Sequence, residues 1–138
     1  NYNGSDSFTY KANDGTINSN TSTVTITVSA VNDAPLSYNL SQTTSEDTAK
    51  NITLYASDVE GSNLTYSIVT STTNGTESLS GNVVTYTPND NYNGSDSFTY
   101  KAYDGTVNGN TAKVSITITS VNDAPISSNV TATTSEDT

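Results

Sequence analysis

The sequence predicts an all-β protein, seven-stranded antiparallel β-sandwiches strung in a tandem array. Three observations predict it. Apolar residues alternate with Thr and Ser at period two, turn dipeptides separate the alternating segments, and the whole pattern returns after 90 residues. NYNGSDSFTYKA stands at 1–12 and 91–102, VNDAP at 31–35 and 121–125, and SEDT at 45–48 and 135–138; 34 of the 48 overlapping positions are identical. A period that long is one small domain rather than a solenoid turn. Cutting at the Ala-Pro of VNDAP gives a complete unit at 35–124, the C-terminal part of a preceding unit at 1–34, and the first strand of a following one at 125–138.

Within the complete unit a short first strand is expected near 36–44. Ile52, Leu54 and Ala56 share one face of the next segment, and Leu64, Tyr66 and Ile68 one face of the third. A short strand near 76–80 precedes Val84 and Tyr86, then Phe98, Tyr100 and Ala102, and finally Val114, Ile116 and Ile118. Thr and Ser fill the opposite faces, where a β-branched residue suits a wet pleated surface. Glu60-Gly61, Asn74-Gly75, Gly81-Asn82, Asn93-Gly94 and Asp104-Gly105 supply the turns. No segment keeps a period of 3.6 through three turns, so no helix is expected.

Composition removes whole classes of function. Ser, Thr and Asn make up 65 of 138 residues, and His, Cys, Met, Trp and Arg are absent. There is therefore no thiol nucleophile, no imidazole base, and no zinc or haem ligand set of the usual kind. A net charge of −10 opposes binding to nucleic acid or to an anionic membrane, and no apolar run approaches the length of a membrane-spanning helix. What that field attracts is a hard cation.

The acids are not evenly spread. The complete unit carries nine acids against three lysines, and most are expected in turns or beside the Pro linker: Glu46, Asp47, Asp58, Glu60, Asp90, Asp96, Asp104 and Asp123. In a sandwich the turns gather at the two ends, so these carboxylates converge where successive units meet. Converging carboxylates repel one another unless a cation sits among them. Calcium takes six to eight flexible oxygen ligands, and Asn32, Asn89, Asn91 and Asn122 add neutral carbonyls. Calcium is the expected cofactor.

The stretch Asp58-Val59-Glu60-Gly61-Ser62-Asn63-Leu64-Thr65-Tyr66-Ser67-Ile68 resembles the cadherin segment in which an Asp-x-Asp calcium motif precedes a strand. Tyr100-Lys101-Ala102-Tyr103-Asp104-Gly105, the strand 114–118 and Val121-Asn122-Asp123-Ala124-Pro125 resemble the last two cadherin strands and the linker. Together they are similar to the tandem cadherin-like repeats of large bacterial and archaeal surface adhesins. The resemblance implies an Ig/cadherin-like fold, an extracellular location (cell surface or secreted) and calcium held between consecutive repeats. It implies an upper junction of Asn32, Asp33, Asp58, Glu60 and Asp104, and a lower one of Glu46, Asp90 or Asn91, Asn122 and Asp123. Departures from the cadherin pattern thin the ligand set. Glu60 replaces the second Asp, Ala30 and Ser120 stand two before the linker Asn, and Asn89-Asp90-Asn91 replaces an Asp-x-Glu. Fewer ions per junction, or weaker binding, follow.

The expected role is thus a non-catalytic, calcium-rigidified stalk or fibre segment whose partners are neighbouring repeats of the same chain. Asp58 and Glu60, two apart in one turn, do not face each other across a cleft as glycosidase carboxylates must. Two further readings stay open. One is a filament subunit, associating laterally or end to end, whose ends are completed by strands from neighbouring chains. The other is a surface module that binds a glycan or a protein, with Tyr38, Tyr55 and Tyr103 facing outward. An autocatalytic Lys–Asn isopeptide bond is disfavoured, because alternation points Lys101 and Lys113 outward.

Overall fold

The computed structural model describes residues 2–136, and those residues form eleven strands and no helix. A four-stranded sheet has the order β4 (Leu40–Ser45), β11 (Ala112–Thr119), β10 (Gly94–Tyr103), β7 (Thr65–Thr70). A three-stranded sheet has the order β5 (Lys50–Thr53), β9 (Val83–Pro88), β8 (Gly75–Ser80). β3 (Leu36–Ser37) pairs with β6 (Ala56–Ser57) at one end. β1 (Gly4–Tyr10) and β2 (Ser22–Val28) form a separate hairpin.

The core is what period-two alternation predicts. Ile52, Leu54, Val84 and Tyr86 on one side meet Phe98, Tyr100, Val114, Ile116 and Ile118 on the other, all buried. Outward Thr and Ser keep the opposite faces in water. Tyr100 also ends the core chemically: its hydroxyl is shared between the carbonyls of Tyr38, at 2.6 Å, and Tyr55, at 2.7 Å. A buried phenol needs such a partner, and here the partners pin β3 and β6 to β10.

Two expectations need correction. The seven predicted segments are nine strands between residues 36 and 119, because two of them break. The chain bends after Ser37 and again at Leu54–Tyr55, so that β3 and β6 pair with each other while β4 and β5 join different sheets. Nor is the unit wholly antiparallel. β4 runs parallel to β11, with Leu40 opposite Val114 and Ser45 opposite Thr119. The reason is topological. Seven alternating segments send the first and the last in the same direction, and the first lies beside the last rather than beside the second. Its consequence is that residues 35 and 119 lie at opposite poles.

The β1–β2 hairpin repeats β10–β11 position for position. Phe8 pairs with Val24 as Phe98 pairs with Val114, and Gly4 with Val28 as Gly94 with Ile118. Gly4 and Gly94 share a φ near 136–138°, which only glycine adopts freely, and Tyr2 and Tyr92 each close over them with a 2.9 Å bond to the carbonyl of Ser5 or Ser95. Local sequence therefore sets this hairpin wherever it occurs. Burial is another matter: Phe98 and Tyr100 are 0% exposed, whereas Phe8 and Tyr10 are each 53% exposed.

Candidate functional site

The upper pole is built by the linker 29–35, the turn after β6 and the turn after β10. Asn32 donates its side-chain amide to Asp104 Oδ2 at 2.8 Å, and the Asp33 backbone N–H donates to Glu60 Oε2 at 3.1 Å. Asp104 also accepts the N–H groups of Thr106 and Val107, at 2.6 and 2.7 Å, from its own Gly105 turn. The Asn32 amide, with those two N–H groups, holds the Asp104 carboxyl below the usual carboxylate range. Asp58 begins the same turn as Glu60 and accepts the Ser62 N–H on Oδ1 at 2.9 Å. Its other oxygen, Oδ2, is buried and has no hydrogen-bond partner among the described residues. A cleft of about 230 Å³ lies between the hairpin and this turn, lined by Tyr2, Asn3, Val31, Asp33 and Glu60.

The lower pole is organised differently. Glu46 is 4% exposed and takes the inward parity of Leu40 and Thr44. Its carboxylate accepts the linker N–H of Val121 and, at 3.4 Å, the amide of Asn93, while its own N–H bonds the Thr119 carbonyl at 2.9 Å. Asp47 and Asn91 both have positive φ, and the Asn91 N–H reaches Asp47 Oδ1 at 2.9 Å. Asp90 and Asn91 sit in the turn between β9 and β10, and Asn122 and Asp123 in the exposed linker beyond β11. Among the described residues no group of three or more acidic side chains lies close enough to hold a metal ion. The donors that are present are all carboxylate or carbonyl oxygens, the set that suits calcium. At the upper pole, Asp58 Oδ2 lacks a partner.

One acid expected in a turn is not in one. Asp96 lies inside β10, 7% exposed, and holds the 71–74 loop against the sandwich. It accepts the N–H groups of Thr73 at 3.1 Å, Asn74 at 3.0 Å and Ser97 at 2.8 Å, and the Tyr86 hydroxyl at 2.9 Å. Burial pushes its pKa up, but the Thr73, Ser97 and Asn74 N–H groups outweigh that and leave it lowered. Burial and the neighbouring Asp96 drive the Tyr86 hydroxyl pKa well above its ordinary value. The signal that could have found Asp96 is parity: Asp96, Phe98, Tyr100 and Ala102 alternate onto one face.

A surface feature completes the map. Tyr38 and Tyr55 pack together at the β3–β6 end with ring centroids 5.3 Å apart and planes tilted by 33°, and are 40% and 59% exposed. Tyr103, 38% exposed, bonds the Gly105 carbonyl through its hydroxyl at 2.7 Å.

No match was found among curated proteins. Among solved structures it is similar to the endo-fucoidan hydrolase MfFcnA4 from glycoside hydrolase family 107, with 25% identity and a TM-score of 0.54 over 87% of this chain and 19% of that one. It is also similar to the endo-fucoidan hydrolase MfFcnA9 of the same family, with 16% identity and a TM-score of 0.43 over 84% of this chain and 22% of that one. The chain thus spans about a fifth of those hydrolases. A family model described as a bacterial Ig domain matches residues 32–117, from the linker through most of β11. The two facing sheets, the crossing of the first strand to the side of the last, and that match agree: the chain belongs to the bacterial Ig-domain family.

Proposed function

We propose that this chain is a non-catalytic structural segment of an extracellular or cell-surface protein, a cadherin-like Ig repeat in a tandem array whose junctions calcium stiffens. One observation carries the reading. The linker residues Asn32 and Asp33 already bond to Asp104 and Glu60, while Asp58 Oδ2 in the same turn is buried without a partner. Asp58, Glu60 and Asp104, with Asn32 and Asp33 from the linker, would hold the ion. Glu46, Asp90 or Asn91, Asn122 and Asp123 would do so at the other pole. A bound ion supplies charge neutralisation and several bonds that span the linker. Pivoting about the linker would then break those bonds together.

The test compares melting temperature and small-angle scattering in millimolar calcium and in chelator. The expected result is a higher Tm and a narrower spread of interdomain distances with calcium, both abolished by Asp58→Ala with Asp104→Ala. Identical melting and scattering in the two buffers would sink the reading.

The exposed Tyr38–Tyr55 pair favours a second reading, a surface that stacks against a sugar ring. The net charge of −10 selects neutral over sulfated or uronic glycans. Tyr55→Ala would abolish any signal on a glycan array; an unchanged or absent signal removes this reading.

A further inference from the structure

We propose that Asn110 and Gly109 form a clasp that seats the linker on the unit, and that Gly109→Ser unseats it. Asn110 is the positioning residue: it is not itself a candidate calcium ligand, but it fixes the segment from which Asn32 and Asp33 reach out. Its side-chain amide engages both backbone groups of Ser37, accepting the Ser37 N–H at 2.7 Å and donating to the Ser37 carbonyl at 3.0 Å. The β4–β11 ladder begins only at Leu40 and Val114. Asn110 continues that edge past the break between β3 and β4, with a side chain in place of a backbone rung. The Asn39 side chain bridges the gap by accepting the Lys113 N–H at 2.8 Å. The Ser37 hydroxyl completes the clasp by accepting the Ala102 N–H at 3.2 Å. Pro35 and Ser37 are both buried there.

Gly109 supplies the room. Its φ is not in the left-handed region, so space and not conformational freedom is what it provides. A Cβ there would overlap the Pro35 carbonyl oxygen. The internal repeat shows what a side chain does at this place. Ser19 is the counterpart of Gly109, and its N–H bonds the Ala12 carbonyl at 2.8 Å as the Gly109 N–H bonds that of Ala102. The Ser19 hydroxyl also accepts the Ala12 N–H, at 2.9 Å. In the complete unit the matching Ala102 N–H goes to Ser37 instead. Gly109→Ser would therefore take the space of Pro35 and also satisfy the N–H that Ser37 now engages. Asp33, whose N–H reaches Glu60, and Asn32, whose amide reaches Asp104, lie just before Pro35. A linker released over 35–37 loses the fixed base for both contacts.

No cation enters the clasp, so the full chain is tested in chelator, and the outcome is independent of the calcium reading. The measurement is backbone 15N relaxation. In the native sequence the amides of Asn32, Asp33, Leu36 and Ser37 should have order parameters in the rigid range, about 0.85, like those of Ile52, Val84 and Val114 in the core. Asn110→Ala and Gly109→Ser should each drop the four below about 0.6 while the core amides keep theirs, a separation that a general loss of stability would not produce. Asn110→Asp keeps the acceptor for the Ser37 N–H and gives up the donor, so it should fall between. Asn110 is exposed, so Asn110→Ala tests the clasp even where Gly109→Ser fails to fold. Mobile linker amides in the native sequence would overturn the proposal, and so would ordered ones in Asn110→Ala. Ordered linker amides in a folded Gly109→Ser chain would overturn the role of residue 109.

Discussion

Removing the Asp96 carboxylate should cost the unit a large part of its stability. Five donors converge on it: three backbone N–H groups, the Thr73 hydroxyl at 3.4 Å and the hydroxyl of Tyr86, a residue 0% exposed. In Asp96→Ala the Ser97 N–H can turn to water, the N–H groups of exposed Thr73 and half-buried Asn74 lose the acceptor that holds their loop, and the buried Tyr86 hydroxyl is left with the Asn74 carbonyl at 3.4 Å. An orphaned buried polar group costs about 1–3 kcal/mol, and partial rehydration of the 71–74 loop takes back some of that. The expected loss is about 3–5 kcal/mol, against about 5–15 kcal/mol for a whole domain. The repeat provides the control. Asp6 is the same residue in the same hairpin register, exposed, with the Ser7 N–H at 2.8 Å as its partner among the described residues. Asp6→Ala should cost less than about 0.5 kcal/mol. Urea unfolding followed by Tyr fluorescence gives both numbers. A loss below about 1 kcal/mol for Asp96→Ala, or equal losses for the two variants, would refute the reasoning.

Other perturbations follow the same internal comparison. Phe98→Ala should cost about 3–5 kcal/mol as a core cavity, whereas Phe8→Ala, at a site 53% exposed, should leave the unfolding midpoint nearly unmoved. Gly109→Ser should destabilise by about 1–3 kcal/mol, because a Cβ there would meet the Pro35 carbonyl 2.0 Å away; Ser19 occupies the equivalent position in the first hairpin. With its pKa lowered, Asp96 contributes stability that is fully present above the ordinary value of 3.8 and is lost as pH falls through its native value below that. Stability should therefore drop on acidification below 3.8, and Asp96→Asn should flatten that acid limb in pH-dependent urea titrations.

How much was legible depended on what kind of information each feature needs. Strand faces were readable because period two is local: Val84 and Tyr86, or Val114, Ile116 and Ile118, declare their own burial. The hairpin was readable from its repeat, and both copies fold to one register. Pairing across the unit was not. Nothing near Leu40 says that it will lie parallel to Val114, 74 positions away, because that choice is made by the packing of both sheets together. Asp96 was misplaced because acid residues were assigned to turns by type, while its parity with Phe98 and Tyr100 pointed inward. Glu46 shows the same parity signal. For both acids, alternation placed the side chain more reliably than polarity did.

The parallel pairing of β4 with β11 links the fold to the proposed role. Because these strands run the same way, the chain enters the unit at the pole of Asn32, Asp58 and Asp104 and leaves at the pole of Glu46 and Asn122. A unit with antiparallel terminal strands would enter and leave at one pole and could not extend a line. Tension along the chain then pulls β4 and β11 in opposite directions along their shared edge. Six residue pairs, Leu40–Val114 through Ser45–Thr119, carry that load in shear rather than opening one by one. The side chains at the two poles reinforce this edge: Tyr100 holds the carbonyl of Tyr38, just before β4, and that of Tyr55, just before β6, and Glu46 ties the far end of β4 to Val121. A thin apolar core under faces rich in Thr and Ser is therefore compatible with a load-bearing module, because resistance to extension comes from the backbone ladder between the first and last strands more than from the volume of apolar packing behind it.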